Sequence, residues 1–281
     1  MTNTDLFTLL FKAARAVYDE REAHSVACFI AEKLYGANRI HIATEPHGEV
    51  DAPGLESVLR DIAAGRPAQY VAGKADFCGM EFAVGEGVLI PRPETEELVE
   101  WVAGDTAPGT TALDIGTGSG AIAVALAKKI AGSVVHAADI SAEALAFAAK
   151  NAATNGAQVS FTECDILAVG SESPWPPGMF DIIVSNPPYI PAGDRGGMHI
   201  NVTEFEPAGA LFVPDDDPLV FYKAIARKGR TLLKTGGRLF FEIYEHSAGE
   251  MRRLLETEGY SGIAVRKDIN GRDRMVKAVK G

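Results

Sequence analysis

The chain has 281 residues, 47% of them apolar and 23% charged, which suits one large globular domain or a domain with a smaller companion. No run approaches the roughly 18 uninterrupted apolar residues of a membrane span, and the start MTNTDLFTLLFKAARAV lacks a secretory signal, so no membrane association and a cytoplasmic location are expected. The net charge is −11, and residues 1–84 carry 8 Lys and Arg against 12 Asp and Glu, so no half hides the basic module on which nucleic-acid binding draws.

The first 65 residues read as helical. Leu6, Leu9, Leu10, Ala13, Ala14 and Val17 recur at helical spacing, a second helix runs from about Glu22 to Leu34 and stops at Gly36, and Leu55, Val58, Leu59, Ile62 and Ala63 form a third stripe. Three such helices predict a small docking bundle over residues 1–73. From Asp76 to Ile90 the sequence DFCGMEFAVGEGVLI alternates around GEG, which predicts a β-hairpin linker over 74–92. PRPETEELVEWVA then opens a helix, with proline at its first turn and acids where the helix dipole favours them.

Beyond Pro108, strands and helices alternate: TTALDIG, GAIAVALAKKI, SVVHAADI, SAEALAFAAKNAATNG, AQVSFTEC and FDIIVSNPP, then PLVFYKAIARKGRTLLK, GRLFFEIY, AGEMRRLLETEG, GIAVRKDI and DRMVKAV. This order predicts an α/β fold over 93–281, a doubly wound, mostly parallel seven-stranded sheet with an antiparallel edge strand from the last hairpin. SESPWPPGMF and AGDRGGMHIN are expected to be mobile loops. Cys28, Cys78 and Cys164 are too far apart for a disulfide framework or a zinc site, the six histidines are scattered, and no metal is expected. His136, inside an apolar strand pattern, reads as structural.

Gly116, Gly118 and Gly120 fall between a strand and a helix, where bare backbone lets a ligand approach helix-end N–H groups. Gly116-x-Gly118-x-x-Ala121 fits the dinucleotide fingerprint, and Asp139 follows at the end of the next strand, where a carboxylate can accept ribose hydroxyls. A nicotinamide oxidoreductase therefore competes with an S-adenosylmethionine enzyme. Asp114, just before the glycines, favours a cationic ligand over a pyrophosphate, and Gly120 completes the G-x-G-x-G pattern common in methyltransferases.

VSNPPYIP ends the fourth strand, which lies beside the first across the topological switch point. Pro187 and Pro188 stiffen the backbone and remove two N–H donors, leaving the Asn186 side-chain oxygen and the Pro187 carbonyl as converging acceptors. Two fixed acceptors suit a planar NH₂ group, with Tyr189 covering its face. An amide nitrogen is a poor nucleophile, so acceptors must favour its pyramidal transition state, and a methyl donor is the expected partner.

At these residues the chain resembles the glutamine N5-methyltransferases of peptide-chain release factors, the PrmC/HemK family. The resemblance rests on GRPAQYVAGKADFCGMEFAVGEGVLIPRPETEELVE, DIGTGSGAIA, ADIS, FDIIVSNPPYI, EFEPAGALF and GRDRM, with IPRPETE and NPPY the most specific in combination. It implies a class I enzyme that uses S-adenosylmethionine, with S-adenosylhomocysteine as product, and acts on the Gly-Gly-Gln glutamine of class 1 release factors; a monomer is expected, though the sequence itself leaves the oligomeric state open. Gly116, Thr117, Gly118, Ser119 and Gly120 would wrap the methionine part beside Asp114, Asp139 would hold the ribose, the segment at Asp165 and Ile166 the adenine, and Asn186, Pro187, Pro188 and Tyr189 the glutamine amide. Leu89 would form an apolar wall, and Arg92 either binds a ligand or pairs with a carboxylate. The departures at Glu242-Ile243-Tyr244, His246-Ser247 and DDDPLVFY are expected at the periphery. An amino methyltransferase of nucleic-acid bases shares the Asn-Pro-Pro-Tyr loop and is the alternative, disfavoured by charge.

Overall fold

The apolar stripes of the first 72 residues become five short helices: α1 Asn3–Ala14, α2 Glu20–Tyr35, α3 Arg39–Thr44, α4 Leu55–Ala63 and α5 Ala68–Ala72. In the computed structural model, which describes residues 1–168 and 173–281, Leu6, Leu10, Ala27, Ile30, Ala31 and Ile62 form their common core. Thr2 and Asp5 make a reciprocal capping box on α1, the Asp19 carboxylate caps α2, and Gly36 ends α2 in the left-handed region. Sequence reading missed α3 and α5, whose five or six residues are too short to display a helical period. This first unit comprises Met1–Ala75 with Val84–Glu86 and Met198–Glu206, and the second comprises Asp76–Ala83, Gly87–Gly197 and Pro207–Gly281.

The hairpin exists, but its turn lies elsewhere than expected. β1 Lys74–Phe77 and β2 Met80–Ala83 meet at Cys78-Gly79, both at positive φ, 50° and 72°. A two-residue hairpin turn of this hand needs positive φ at both central positions, so the tight CG pair makes the turn and GEG falls outside the strands. The Glu96 carboxylate accepts the Cys78 N–H at 2.9 Å, which helps to hold a non-glycine residue in that conformation.

The second unit is built on the sheet order β10-β11-β9-β6-β3-β4-β5. Its strands are β3 Thr111–Ile115, β4 Val134–Asp139, β5 Val159–Glu163, β6 Phe180–Ser185, β9 Leu233–Glu242, β10 Tyr260–Lys267 and β11 Asp273–Lys280. α6 Pro93–Gly104, α7 Ala121–Lys129 and α8 Ala142–Thr154 precede β3, β4 and β5, while α11 Val220–Leu232 and α12 Ala248–Thr257 come later. β3 pairs in parallel with both β4 and β6. The terminal hairpin places β11 antiparallel between β9 and β10, so the antiparallel strand lies one in from the edge rather than at it.

Side chains alternate across the sheet as a two-faced core requires. Leu113, Ile183, Leu239 and Phe241 pack with Tyr222, Ile225, Met251 and Leu255 on one face; Ala112, Ile182, Val184 and Phe240 pack with Leu98, Val102 and Ile122 on the other. His136 on β4 is half-buried with its ring edge-on to Phe180 at 5.6 Å, and burial lowers its pKa.

The segment expected as the loop AGDRGGMHIN instead contains a 3₁₀ turn over Ala192–Gly197 and α9 Ile200–Thr203, capped by His199. β7 Ile190–Pro191, α10 Ala208–Leu211 and β8 Phe212–Val213 complete the elements, and two-residue strands leave no alternation to read. Of the other expected loop, 171–180, residues 171 and 172 lie outside the described residues. Among the described residues, no helix is long and apolar enough to cross a membrane.

Candidate active site

The register of β3 against β6 sets the site. Ile115 pairs with Ser185, whose hydroxyl donates to the Ile115 carbonyl at 2.6 Å, so Gly116 and Asn186 leave the sheet side by side. Asp139 ends β4 and Glu163 ends β5 in the adjoining positions, with Ile166 three residues further on, half-buried. The four carboxyl-end segments named by sequence thus stand in one row.

Within the glycine turn the residues divide by task. Gly116 and Gly118 sit at φ 72° and 54°, and a Cβ on either would point into open space. At Gly120, φ 82°, a Cβ would lie 2.9 Å from the Ala148 Cβ, so the approach of α7 to α8 itself requires glycine here. Thr117 and Ser119 are buried. Asn151, 1% exposed, accepts the Ala83 N–H at 2.7 Å and donates to the Ala83 and Ser119 carbonyls at 3.0 and 2.8 Å, tying β2 to the turn. An Asn within a helical stripe gives no sequence signal for such a role.

Asp139 organises the other side. Its Oδ2 accepts the Gly118 N–H at 2.8 Å and its Oδ1 the Ser141 N–H at 3.0 Å, which leaves acceptor capacity on both oxygens. Asp114 is fully buried; its Oδ2 accepts the Thr117 hydroxyl at 2.6 Å, while Oδ1 has no hydrogen-bond partner among the described residues. Burial pushes the Asp114 carboxyl up to about 7, against the pull of the Thr117 hydroxyl and the Ala123 backbone N–H and with a smaller push from the Asp139 charge. An orphaned acidic oxygen beside glycines that face open space fits a cationic ligand with a ribose, and it fits a pyrophosphate badly.

The Asn-Pro-Pro-Tyr loop is held by side chains from distant parts of the chain. Asn186 donates its Nδ2 hydrogen to the Thr95 hydroxyl at 3.2 Å, and Thr95 donates to Glu242 Oε2 at 2.6 Å. Tyr189 donates to Glu242 Oε1 at 3.1 Å, and Tyr222 to the Glu242 carbonyl at 2.9 Å. Pro187 is buried, while Asn186, Pro188 and Tyr189 are half-exposed. Burial raises the pKa of Glu242, with the Thr95 and Tyr189 bonds and Arg274 pulling the other way. Burial and then the Glu242 charge push the Tyr189 phenol far up, keeping it a neutral donor, against the smaller pulls of Arg274 and Arg92.

Two expectations fail here. Glu242 and its neighbours are not peripheral, because β9 lies next to β6 and its carboxyl end opens beside Asn186. Tyr244 stacks on Tyr189 with ring centres 6.2 Å apart, and Tyr222, from the DDDPLVFY segment, bonds Glu242 directly. Thr95 and Glu242 were missed as site residues, although a Thr buried at the start of an acidic helix and a Glu closing an apolar strand are the signals that mark them. Arg92 stands at the N-cap of α6, and Leu89 just before it is half-buried.

The chain has close counterparts among known proteins. A family described as Methyltransferase small domain matches residues 94–204. The chain is 40% identical to a release factor glutamine methyltransferase from Flavobacterium psychrophilum, covering 96% of each chain. It is 46% identical to one from Bacteroides thetaiotaomicron, covering 80% of each. A methyltransferase structure from Pyrococcus furiosus, 20% identical, shares the fold with a TM-score of 0.53 over 73% of this chain and 90% of that one. Identity of this level over nearly the whole length places the chain in the family of release factor glutamine methyltransferases.

Proposed function

We propose that the protein transfers a methyl group from S-adenosylmethionine to the side-chain amide nitrogen of the Gly-Gly-Gln glutamine in class 1 release factors. The observation that carries this is the side-by-side exit of the glycine turn and the Asn186 loop from β3 and β6, with Thr95 holding the amide nitrogen of Asn186. Gly116 and Gly118 give a bare backbone for the cofactor's methionine part, the free Asp114 oxygen favours its positive charge, and Asp139 has acceptor capacity for its ribose. When bound, the cofactor supplies a sulfonium-activated methyl group.

The remaining work belongs to side-chain and backbone groups of this protein. Asn186 Oδ1 and the Pro187 carbonyl accept the two hydrogens of the substrate carboxamide and turn its lone pair out of the amide plane. The same dipoles face the positive charge that develops on nitrogen, which selects the transition state over the planar amide; the methyl leaves S-adenosylhomocysteine behind, and one N–H proton is then lost to solvent to give the neutral N-methyl amide. Tyr189, braced by Glu242 and Tyr244, covers the flat group. The match to the Flavobacterium psychrophilum relative covers 96% of each chain and so reaches into residues 1–73, to which a docking role is assigned here. The test is to incubate the protein with methyl-labelled S-adenosylmethionine and three acceptors: a class 1 release factor, the same factor with Gln replaced by Glu in Gly-Gly-Gln, and ribosomal RNA or DNA. Label is expected on the first alone, and label on nucleic acid overturns the reading in favour of base methylation.

A further inference from the structure

Glu242 stands two hydrogen bonds from the Asn186 amide, and those bonds have a direction. Both Glu242 carboxyl oxygens accept, Oε1 from Tyr189 at 3.1 Å and Oε2 from the Thr95 hydroxyl at 2.6 Å, so Thr95 commits its single proton there. Toward Asn186 it then offers lone pairs only, and the group it can hold is the NH₂, found at 3.2 Å. Turning the amide over would set two acceptor oxygens against each other with no proton between them. The two ends of an amide are alike in shape, so packing alone does not choose between them, whereas a directional chain does. Tyr189 on Oε1 and Tyr222 on the backbone carbonyl keep Glu242 from rotating away.

The surroundings argue against a purely structural Glu242. It is 1% exposed and pairs with Met275 across the sheet, in a place where an apolar residue of similar volume would serve stability better. The charged and titratable groups facing it are Arg274 on β11, Glu94 on α6, Tyr189 on the loop and Tyr222 on α11, and Arg274 is itself tied to Asp268 at 3.2 Å.

We propose that Glu242, acting through the Thr95 hydroxyl, is a positioning residue that determines which end of the Asn186 amide is offered to the substrate. With the carboxylate in place, Oδ1 is presented and can accept from the glutamine NH₂; reversed, Asn186 would offer a donor to a donor. This rests on the reading of Asn186 as the acceptor for the carboxamide, and the experiment separates the two.

Methyl transfer to the release factor is measured at saturating cofactor for Thr95→Val, Thr95→Ser, Glu242→Gln, Asn186→Ala and Thr95→Val combined with Asn186→Ala, with adenosylhomocysteine binding measured separately. Thr95→Val, which keeps the shape and removes the hydroxyl, is expected to lower kcat about 10- to 100-fold while cofactor affinity holds within about threefold. Thr95→Ser restores turnover to within about threefold of wild type, which a packing defect would not allow. Glu242→Gln can present an N–H to Thr95 and so releases the choice; a loss of about 3- to 10-fold is expected. The double variant is expected to be no slower than Asn186→Ala alone. Turnover of Thr95→Val within about twofold of wild type, or multiplicative losses in the double variant, overturns the positioning role. Near-normal turnover of Asn186→Ala instead overturns the reading of the site on which it rests.

Discussion

Replacing Asp114 by Asn keeps the shape and the acceptor for Thr117 while removing the charge. In the ligand-free protein burial holds this carboxyl at about 7 against an ordinary 3.8, a difference of about three pH units or roughly 4 kcal/mol at 1.36 kcal/mol per unit. The folded state therefore binds a proton more tightly than the unfolded one, and this contribution to stability is present below about pH 4 and lost as pH rises through about 7. A positively charged ligand favours the ionised form. If it draws the carboxyl down by about two pH units, affinity rises about tenfold per pH unit up to 7 and levels off above, roughly 100-fold or 2.7 kcal/mol in all. Isothermal titration of S-adenosylmethionine between pH 5.5 and 8.5, with urea unfolding of the ligand-free protein over the same range, reads both effects. Asp114→Asn should bind at least about tenfold more weakly at pH 8, without the rise below pH 7, and its stability should lack the wild-type decline. Equal affinity and equal pH dependence in the two proteins would refute a charge role for Asp114.

Gly118→Ala and Gly120→Ala should fail differently. The first adds a methyl to open space at positive φ, so about 1 kcal/mol of stability is lost together with most cofactor affinity; the second drives a methyl into Ala148 and is expected to cost 2 kcal/mol or more, read as a fall in Tm. Asn151→Ala leaves the Ala83 and Ser119 backbone groups without their partner, and roughly 2–4 kcal/mol should be lost in urea unfolding. Tyr244→Ala removes the ring stacked on Tyr189, and an increase in KM for the release factor larger than the fall in kcat is expected from steady-state kinetics.

The sheet is legible because its central strands β3, β4 and β6 are largely apolar runs, and because Asp139 and Asn186 close β4 and β6 at their carboxyl ends. The order of strands alone sets the Asn186 loop beside the glycines, as the β3–β6 pairing bears out. Register in the first hairpin was not legible, since GEG looks like a better turn than Cys78-Gly79 until Glu96 is seen holding Cys78. Thr95 and Glu242 are 147 residues apart, and no local pattern relates them. Gly120 reads as part of a ligand cradle, and the distance to Ala148 adds a helix-packing demand that the sequence does not display. What sequence conveys here is the local geometry of each strand end; what it leaves out are the long-range hydrogen bonds that orient the groups standing there.

The measurement that bears most directly on the mechanism is a structure of the protein with S-adenosylhomocysteine and a class 1 release factor bound. The glutamine carboxamide nitrogen is expected about 3 Å from both Asn186 Oδ1 and the Pro187 carbonyl, with its open face toward the cofactor sulfur. A glutamine nitrogen held by other groups, with Asn186 turned to offer its NH₂, would contradict it.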